Sequence, residues 1–355
     1  MNHASLAKPV KVSARDFESM LSLVTTLHSL QQSPTYLHLL QDKLPDTVLF
    51  QPASDSILMG YDFHLGPDGP QLIEINNNAG GLFTGTSWLT QPDIPELYGS
   101  IEQRLVEMFP ESWRNIAIMD EQVEEQYMYH EMLAFSKLLK RHGRRVIVLS
   151  PEDLSPDQDG VLQAGGMKID AIYNRHTDFY LQSKDMAHIC SAYVAGKVHL
   201  TPNPHSYGLL GDKRRMVDWW HEGLLESVNI SEAALKLIRE IVPEIHLLSE
   251  MDRDLVWKDR KKWVFKPVAR HGGKGVLLGK NMSRKRYHAM EPDQTVMQRY
   301  VQPSEVLREG EKFKLDLRLY THADHLVAIG GRVYQGLLTN FRTPGSGFVP
   351  VEIFP

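Results

Sequence analysis

The chain has 355 residues, 42% hydrophobic and 23% charged, with a formal net charge of −5. That is the composition of a globular protein large enough for two or three domains, and its net acidity argues against nucleic acid as a principal partner. The single Cys190 excludes an internal disulfide framework or a Cys-rich metal site and fits a reducing cytoplasm. No run of about 18 apolar residues is present to span a membrane, and the N-terminus lacks the basic-then-apolar pattern of a secretory signal.

Phe17, Met20, Leu21, Val24, Leu27 and Leu30 recur at three- and four-residue spacing, which predicts a helical cap over 13–44 with Ser13 at its start. Next, the order strand, Gly66-Pro67-Asp68-Gly69-Pro70, strand predicts a β-hairpin over 61–76. Glu74 and Asn76 are two apart and share a face, with Asp62 opposite. Two carboxylates and an amide oxygen on one spot suit a hard cation such as Mg²⁺; a solvated polar face is the ordinary alternative.

The pattern then changes. A strand over 115–119, a helix over 124–141 ended by Gly143 and a strand over 145–149 make a βαβ unit, hence a parallel, Rossmann-like sheet. The first turn lacks the dinucleotide glycines. A further strand, 169–173, ends at Asn174-Arg175-His176, at the carboxyl end where such sheets often bind ligands; an exposed loop arginine is the ordinary alternative for Arg175. Lys213 begins a helix and can meet an anion there; a solvated lysine is the ordinary alternative.

Residues 263–278 read WVFKPVARHGGKGVLL: an apolar strand, Lys266-Pro267, then Gly272, Gly273, Lys274 and Gly275, then a second apolar run. Glycines permit positive φ and close backbone approach to an anion. An ordinary hairpin turn is the plain alternative. A strand over 295–301 containing Gln298 follows. In the next strand Lys314, Asp316 and Arg318 alternate onto one face.

In this order the motifs resemble ATP-grasp enzymes. Lys-Pro precedes a Gly-rich hairpin, a strand runs into a hinge at Gln298 to Val301, and Asp316-x-Arg318 follows. The Glu74-x-Asn76 pair lies ahead of the hairpin instead of after it, which resembles the circularly permuted branch that includes eukaryotic-type glutathione synthetases and glutathionylspermidine synthetases. Asp62 stands twelve residues before Glu74, and Arg332 stands seven before Thr339, both as in glutathionylspermidine synthetases. Those enzymes have Arg where Gly60 stands and an acidic loop residue where Ala269-Arg270-His271 stands. The closest likeness is to uncharacterised members.

The resemblance implies an α/β and α+β, circularly permuted ATP-grasp fold. Residues 1–112 would form a helical segment plus metal hairpin, 113–205 a Rossmann-like substrate domain, and 206–355 the nucleotide domain. It implies ATP held by Lys213, Lys266, Gly272, Gly273, Lys274, Gly275, Gln298, Val301 and Asp316, and Mg²⁺ held by Asp62, Glu74 and Asn76. Arg332, Arg318 and Lys266 would be catalytic. The implied reaction is ATP-dependent ligation of a small carboxylate and an amine, an amino acid or short peptide, in a cytoplasmic protein for which a homodimer is allowed. A phosphotransferase and a nucleotide-binding regulatory protein that has lost ligation are the alternatives.

Overall fold

The computed structural model describes residues 8–83, 100–269, 273–308, 310–341 and 343–355; Gly272 lies outside the described residues. The chain begins with β1 (Val10–Ser13) and α1 (Ala14–Gln31), whose N-cap Ser13 accepts from the Asp16 amide. The apolar stripe of α1 is buried. The helical segment is not continuous to 44. It breaks because Pro34 lacks an amide hydrogen, and Ser33 caps the separate α2 (Pro34–Leu40).

β2 (Met59–Gly66) and β3 (Gly69–Asn76) form the expected hairpin, with Asp62 directly opposite Glu74. β4 (Asn115–Met119), α3 (Tyr129–Arg141) and β5 (Arg145–Leu149) follow. The helix starts later than its apolar spacing suggests, because Val123–Glu125 is a separate 3-10 turn. With β6 (Ala171–Asn174) and β7 (His199–Thr201) these strands make a four-stranded all-parallel sheet, β7-β6-β4-β5.

The remainder supplies α4 (Lys213–Asp218), α5 (Glu232–Ile241), β8 (Ile245–Leu247), α6 (Arg253–Asp259), β9 (Trp263–Pro267), β10 (Leu277–Leu278), α7 (Arg284–His288) and β11 (Thr295–Arg299). Four of these strands form a small antiparallel sheet, β8-β11-β9-β10. β12 (Ser304–Arg308), β13 (Glu311–His322), β14 (His325–Tyr334), β15 (Gly347–Val349) and β16 (Val351–Phe354) close the chain. The larger sheet runs β15-β14-β13-β2-β3, with β12 also on β13. The early hairpin therefore completes a sheet whose other strands lie more than two hundred residues later.

β14 extends past Ile329 to Tyr334, farther than its apolar run suggests. Gly330 and Gly331 look like a break in sequence, yet a Cβ at Gly331 would sit 2.7 Å from Val349 Cγ2. The glycine lets β15 close onto the sheet. β1 pairs in parallel with β16, Val12 opposite Ile353, so both ends of the described chain are fastened together. Val12 and Val351 are each 1% exposed. Among the described residues no helix is long and apolar enough to cross a membrane. Val351→Ala should cost about 2 kcal/mol through lost burial and a residual cavity, measured as a lowered urea midpoint with an unchanged slope.

Candidate active site

The site grows from the register of the larger sheet. Arg318 on β13 pairs across from Asp62 on β2, and Asp316 pairs across from Arg332 on β14. All four side chains are buried. Arg318 grips Asp62 bidentately, Nε to Oδ1 at 2.6 Å and Nη2 to Oδ2 at 2.6 Å. Arg332 bridges the two acids, its Nη2 lying 2.8 Å from Asp62 Oδ2 and its Nε 2.5 Å from Asp316 Oδ1. The Thr339 hydroxyl donates to Asp316 Oδ2 at 2.6 Å, and Asn76 Nδ2 donates to Asp62 Oδ2 at 3.1 Å. Burial pushes the Asp62 carboxyl up, but Arg318 and Arg332 outweigh it and hold the group well below the usual carboxylate range. Arg332 is held above the ordinary guanidinium value: burial lowers it, and Asp316 and Asp62 overcome that.

Lys266 comes from the small sheet. Its ammonium donates to Ile73 O at 2.8 Å and to Gln298 Oε1 at 2.5 Å, while Gln298 Nε2 reaches Leu72 O at 3.4 Å. These bonds join the small sheet to the β3 edge, beside Glu74. Burial lowers the Lys266 pKa to about 8, opposed by Glu74 and aided by Lys213. Lys213 therefore stands near enough to repel it, while Asp62 also favours the charged form. The glycine loop approaches the segment after β14: Gly273 and Gly275 have φ of +72° and +81°, and a Cβ at Gly273 would lie 3.6 Å from Leu338 Cδ1. Lys274 is exposed at this tip. The Val301 carbonyl bonds His64 Nδ1 at 3.1 Å.

The parallel sheet contributes from its carboxyl end. Arg175 follows β6, is buried, and donates to Tyr173 Oη at 3.2 Å and Ala79 O at 3.4 Å. Asp120, following the neighbouring β4, is pushed up to about 6 by burial, against the Glu121 amide and Arg175, which lower it.

Sequence reasoning missed Glu131. Its two carboxylate oxygens accept the Gly81 amide at 2.9 and 3.1 Å, holding the 79–81 loop against the arginines. Gly80 O then accepts from Arg318 Nη1 at 3.3 Å and from the Tyr320 hydroxyl at 3.1 Å. The available signal was positional: Glu131 lies between Met128 and Phe135 on the apolar face of α3. His64, which burial keeps below its usual pKa, had no such signal. Gly60 is explained sterically, since a Cβ there would lie 2.6 Å from Ala79 Cβ and 3.5 Å from Arg318 Cδ. An arginine at this position has no room.

As a metal site the hairpin is incomplete on its own. Among the described residues no three His, Cys, Asp or Glu side chains converge on one point, and Asp62 already accepts from Arg318, Arg332 and Asn76. The donor set nevertheless fits Mg²⁺ in its usual manner, one or two carboxylates completed by phosphates and water.

No protein-family model matches the sequence, and no curated protein does. Among solved structures, a glutathione synthetase-like effector from Globodera pallida superposes with a TM-score of 0.63 over 98% of this chain and 89% of its own, at 10% identity. A putative γ-glutamylcysteine synthetase from Methylobacillus flagellatus KT gives 0.54 over 97% and 89%, at 15% identity. The ATP-grasp ligase PsnB, solved with a minimal precursor, Mg and ADP, overlays loosely at 0.35 and 12% identity, over 67% of this chain and 88% of its own, and carries no weight. The chain shares its fold with this glutathione synthetase-like effector and this putative γ-glutamylcysteine synthetase, at identities that speak for architecture alone.

Two outcomes follow from the site. Gly60→Ala should destabilise by about 1–3 kcal/mol through overpacking, read from chemical denaturation. The Lys266 ammonium is present below pH about 8 and is lost above it. Affinity for an ATP analogue should therefore fall about tenfold per pH unit beyond that point, and Lys266→Met should flatten the profile.

Proposed function

We propose that this chain is an ATP-dependent carboxylate–amine ligase. The observation that carries the reading is the buried pair Arg318 and Arg332, bracketed by Asp62 and Asp316, with the buried Lys266 ammonium near enough to Asp62 to feel its charge. Arginines held this tightly are preorganised for phosphoryl oxygens, where fixed donors in a dry cleft do most. The position of the β2–β3 hairpin in the later sheet supports the permuted order, with residues 113–205 serving the substrate.

In this reading Lys213, Lys266 and Arg318 hold the ATP phosphates, with Gln298, Val301 and Asp316 along the nucleotide. The loop at Gly273, Lys274 and Gly275 would fold over them. Asp62, Glu74 and Asn76 would hold Mg²⁺, which neutralises phosphate charge when bound. Because Asp62 is engaged by both arginines, its carboxylate would be open to a cation only where Arg318 and Arg332 turn to phosphate oxygens. Arg175 clamps a substrate carboxylate from the parallel sheet. One oxygen of the reacting carboxylate attacks the γ-phosphorus and ADP leaves. The amine nitrogen then attacks the acyl carbon, phosphate departs with the bonding pair, and the nitrogen loses a proton to form the amide. Arg332 stabilises the oxyanion of that second step, and the glycine loop excludes water that would hydrolyse the acyl phosphate.

Incubation with ATP, Mg²⁺ and pools of amino acids and short peptides should release ADP and phosphate only when carboxylate and amine are both present. A stable phosphorylated product would make the protein a phosphotransferase, and ATP binding without any turnover would leave the regulatory role. Glu74→Gln should lower turnover at least a hundredfold while circular dichroism stays unchanged; retained activity would overturn the metal assignment.

A further inference from the structure

The stretch 253–286 carries twelve Lys and Arg against two Asp in a chain whose net charge is −5. The remainder of the chain is therefore net −15. Lys266 faces the nucleotide cleft, but most of this charge does not. On β9 and β11 the side chains alternate, so Lys266 and Gln298 point one way and Trp263, Phe265 and Met297 the other. The second face packs on Val256 of α6 and Tyr287 of α7. These two short helices cover the back of the small sheet, away from the phosphates.

Their outer surface is basic. Lys258, Lys261, Lys262, Arg284, Lys285 and Arg286 are exposed. Lys262 pairs with Asp259 and Arg284 reaches Asp254 at 3.8 Å; among the described residues the other four have no acidic partner. The helices are tied side by side by Trp257 against Tyr287, ring centroids 5.3 Å apart, and by Arg253 Nη2 on Tyr287 O at 2.8 Å. Leu255 of α6 is 59% exposed. ATP does not account for this surface.

We infer that this back face docks an acidic segment of a polypeptide. Three observations favour that partner over nucleic acid or a membrane. The two large aromatic rings on these helices are already in use: Arg260 lies 4.0 Å from the Trp257 ring centroid and Arg253 4.9 Å from that of Tyr287, and Tyr287 is 1% exposed. Unstacked bases would find only the exposed His288 imidazole, which already accepts from Arg284 Nε at 3.3 Å. A duplex or bilayer extends well beyond a Debye length of about 8 Å and would meet the acidic remainder of the chain, whereas a short segment stays within the basic face. A bilayer also needs several apolar anchors, and Leu255 is the one large apolar side chain exposed on α6 and α7. The docking does not depend on the ligase reading.

The test is anisotropy of a labelled oligoglutamate of about eight residues, about 25 Å when extended, added to the full chain. The peptide should bind at about 50 mM salt and weaken steadily as salt rises. Lys261→Glu with Lys285→Glu, both exposed and unpaired, should weaken it at least tenfold while ATP-analogue affinity stays within twofold. Lys258→Glu with Arg286→Glu, which uses the same face, should do likewise. Unchanged binding in both variants, no binding at low salt, or tighter binding of a thymidine oligonucleotide or of phosphatidylserine vesicles would each overturn the inference. Loss of ATP-dependent turnover with intact peptide docking would bear on the ligase reading alone.

Discussion

The structure depends most on the buried ion cluster of Asp62, Arg318, Arg332 and Asp316. Charges taken out of water are costly unless paired and fully hydrogen-bonded. Here the two acids and two guanidiniums satisfy one another, with Asn76, Thr339 and Gly80 O taking further valences. Removing one member would leave a buried partner charge exposed to a penalty of about 3–5 kcal/mol. The cluster also has a topological role. It bonds the β2–β3 hairpin to strands far later in the chain, so the same contacts that arrange the chemistry fasten the sheet.

That arrangement makes the cleft electrostatically expectant. Lys266 is buried and its ammonium is disfavoured by that burial, while the arginines are held by Asp62 and Asp316. On the ligase reading, an anion entering with its counter-cation would exchange one set of charge pairs for another without leaving a buried charge alone. Glu131 adds the third element, since its grip on the Gly81 amide places the Gly80 carbonyl on Arg318 and joins the parallel sheet to the cluster.

Much of this was legible because the relevant spacing is short. Strand alternation puts Glu74 with Asn76 and Asp316 with Arg318 on common faces, and a glycine-rich turn after Lys266 is a local signal. Register was the hidden quantity. That Asp62 meets Arg318, and that Asp316 meets Arg332, follows from which strands pair and at what offset, which no local pattern states. The helix break at Pro34 was readable in principle, because a proline amide cannot continue the ladder. The pairing of β1 with β16 was not, because strands four residues long at opposite ends of the chain carry no signature of each other. Glu131 was passed over because an acidic residue on an apolar helix face reveals its purpose only when the loop it caps is in view.

By itself, then, the sequence determined the alternation of strands and helices, the early hairpin, the lysine and glycines that can meet phosphate, and the order of the acidic and basic motifs. These follow from backbone stereochemistry and periodicity, which act over a few residues. The tertiary structure alone decided that Asp62 is shared between two arginines, that Gly60 is small because Ala79 and Arg318 leave no space, and that the basic stretch around α6 and α7 is divided between a cleft and an outer face. Those are questions of which surfaces meet, and burial settles them across separations of up to 270 residues, from Asp62 to Arg332.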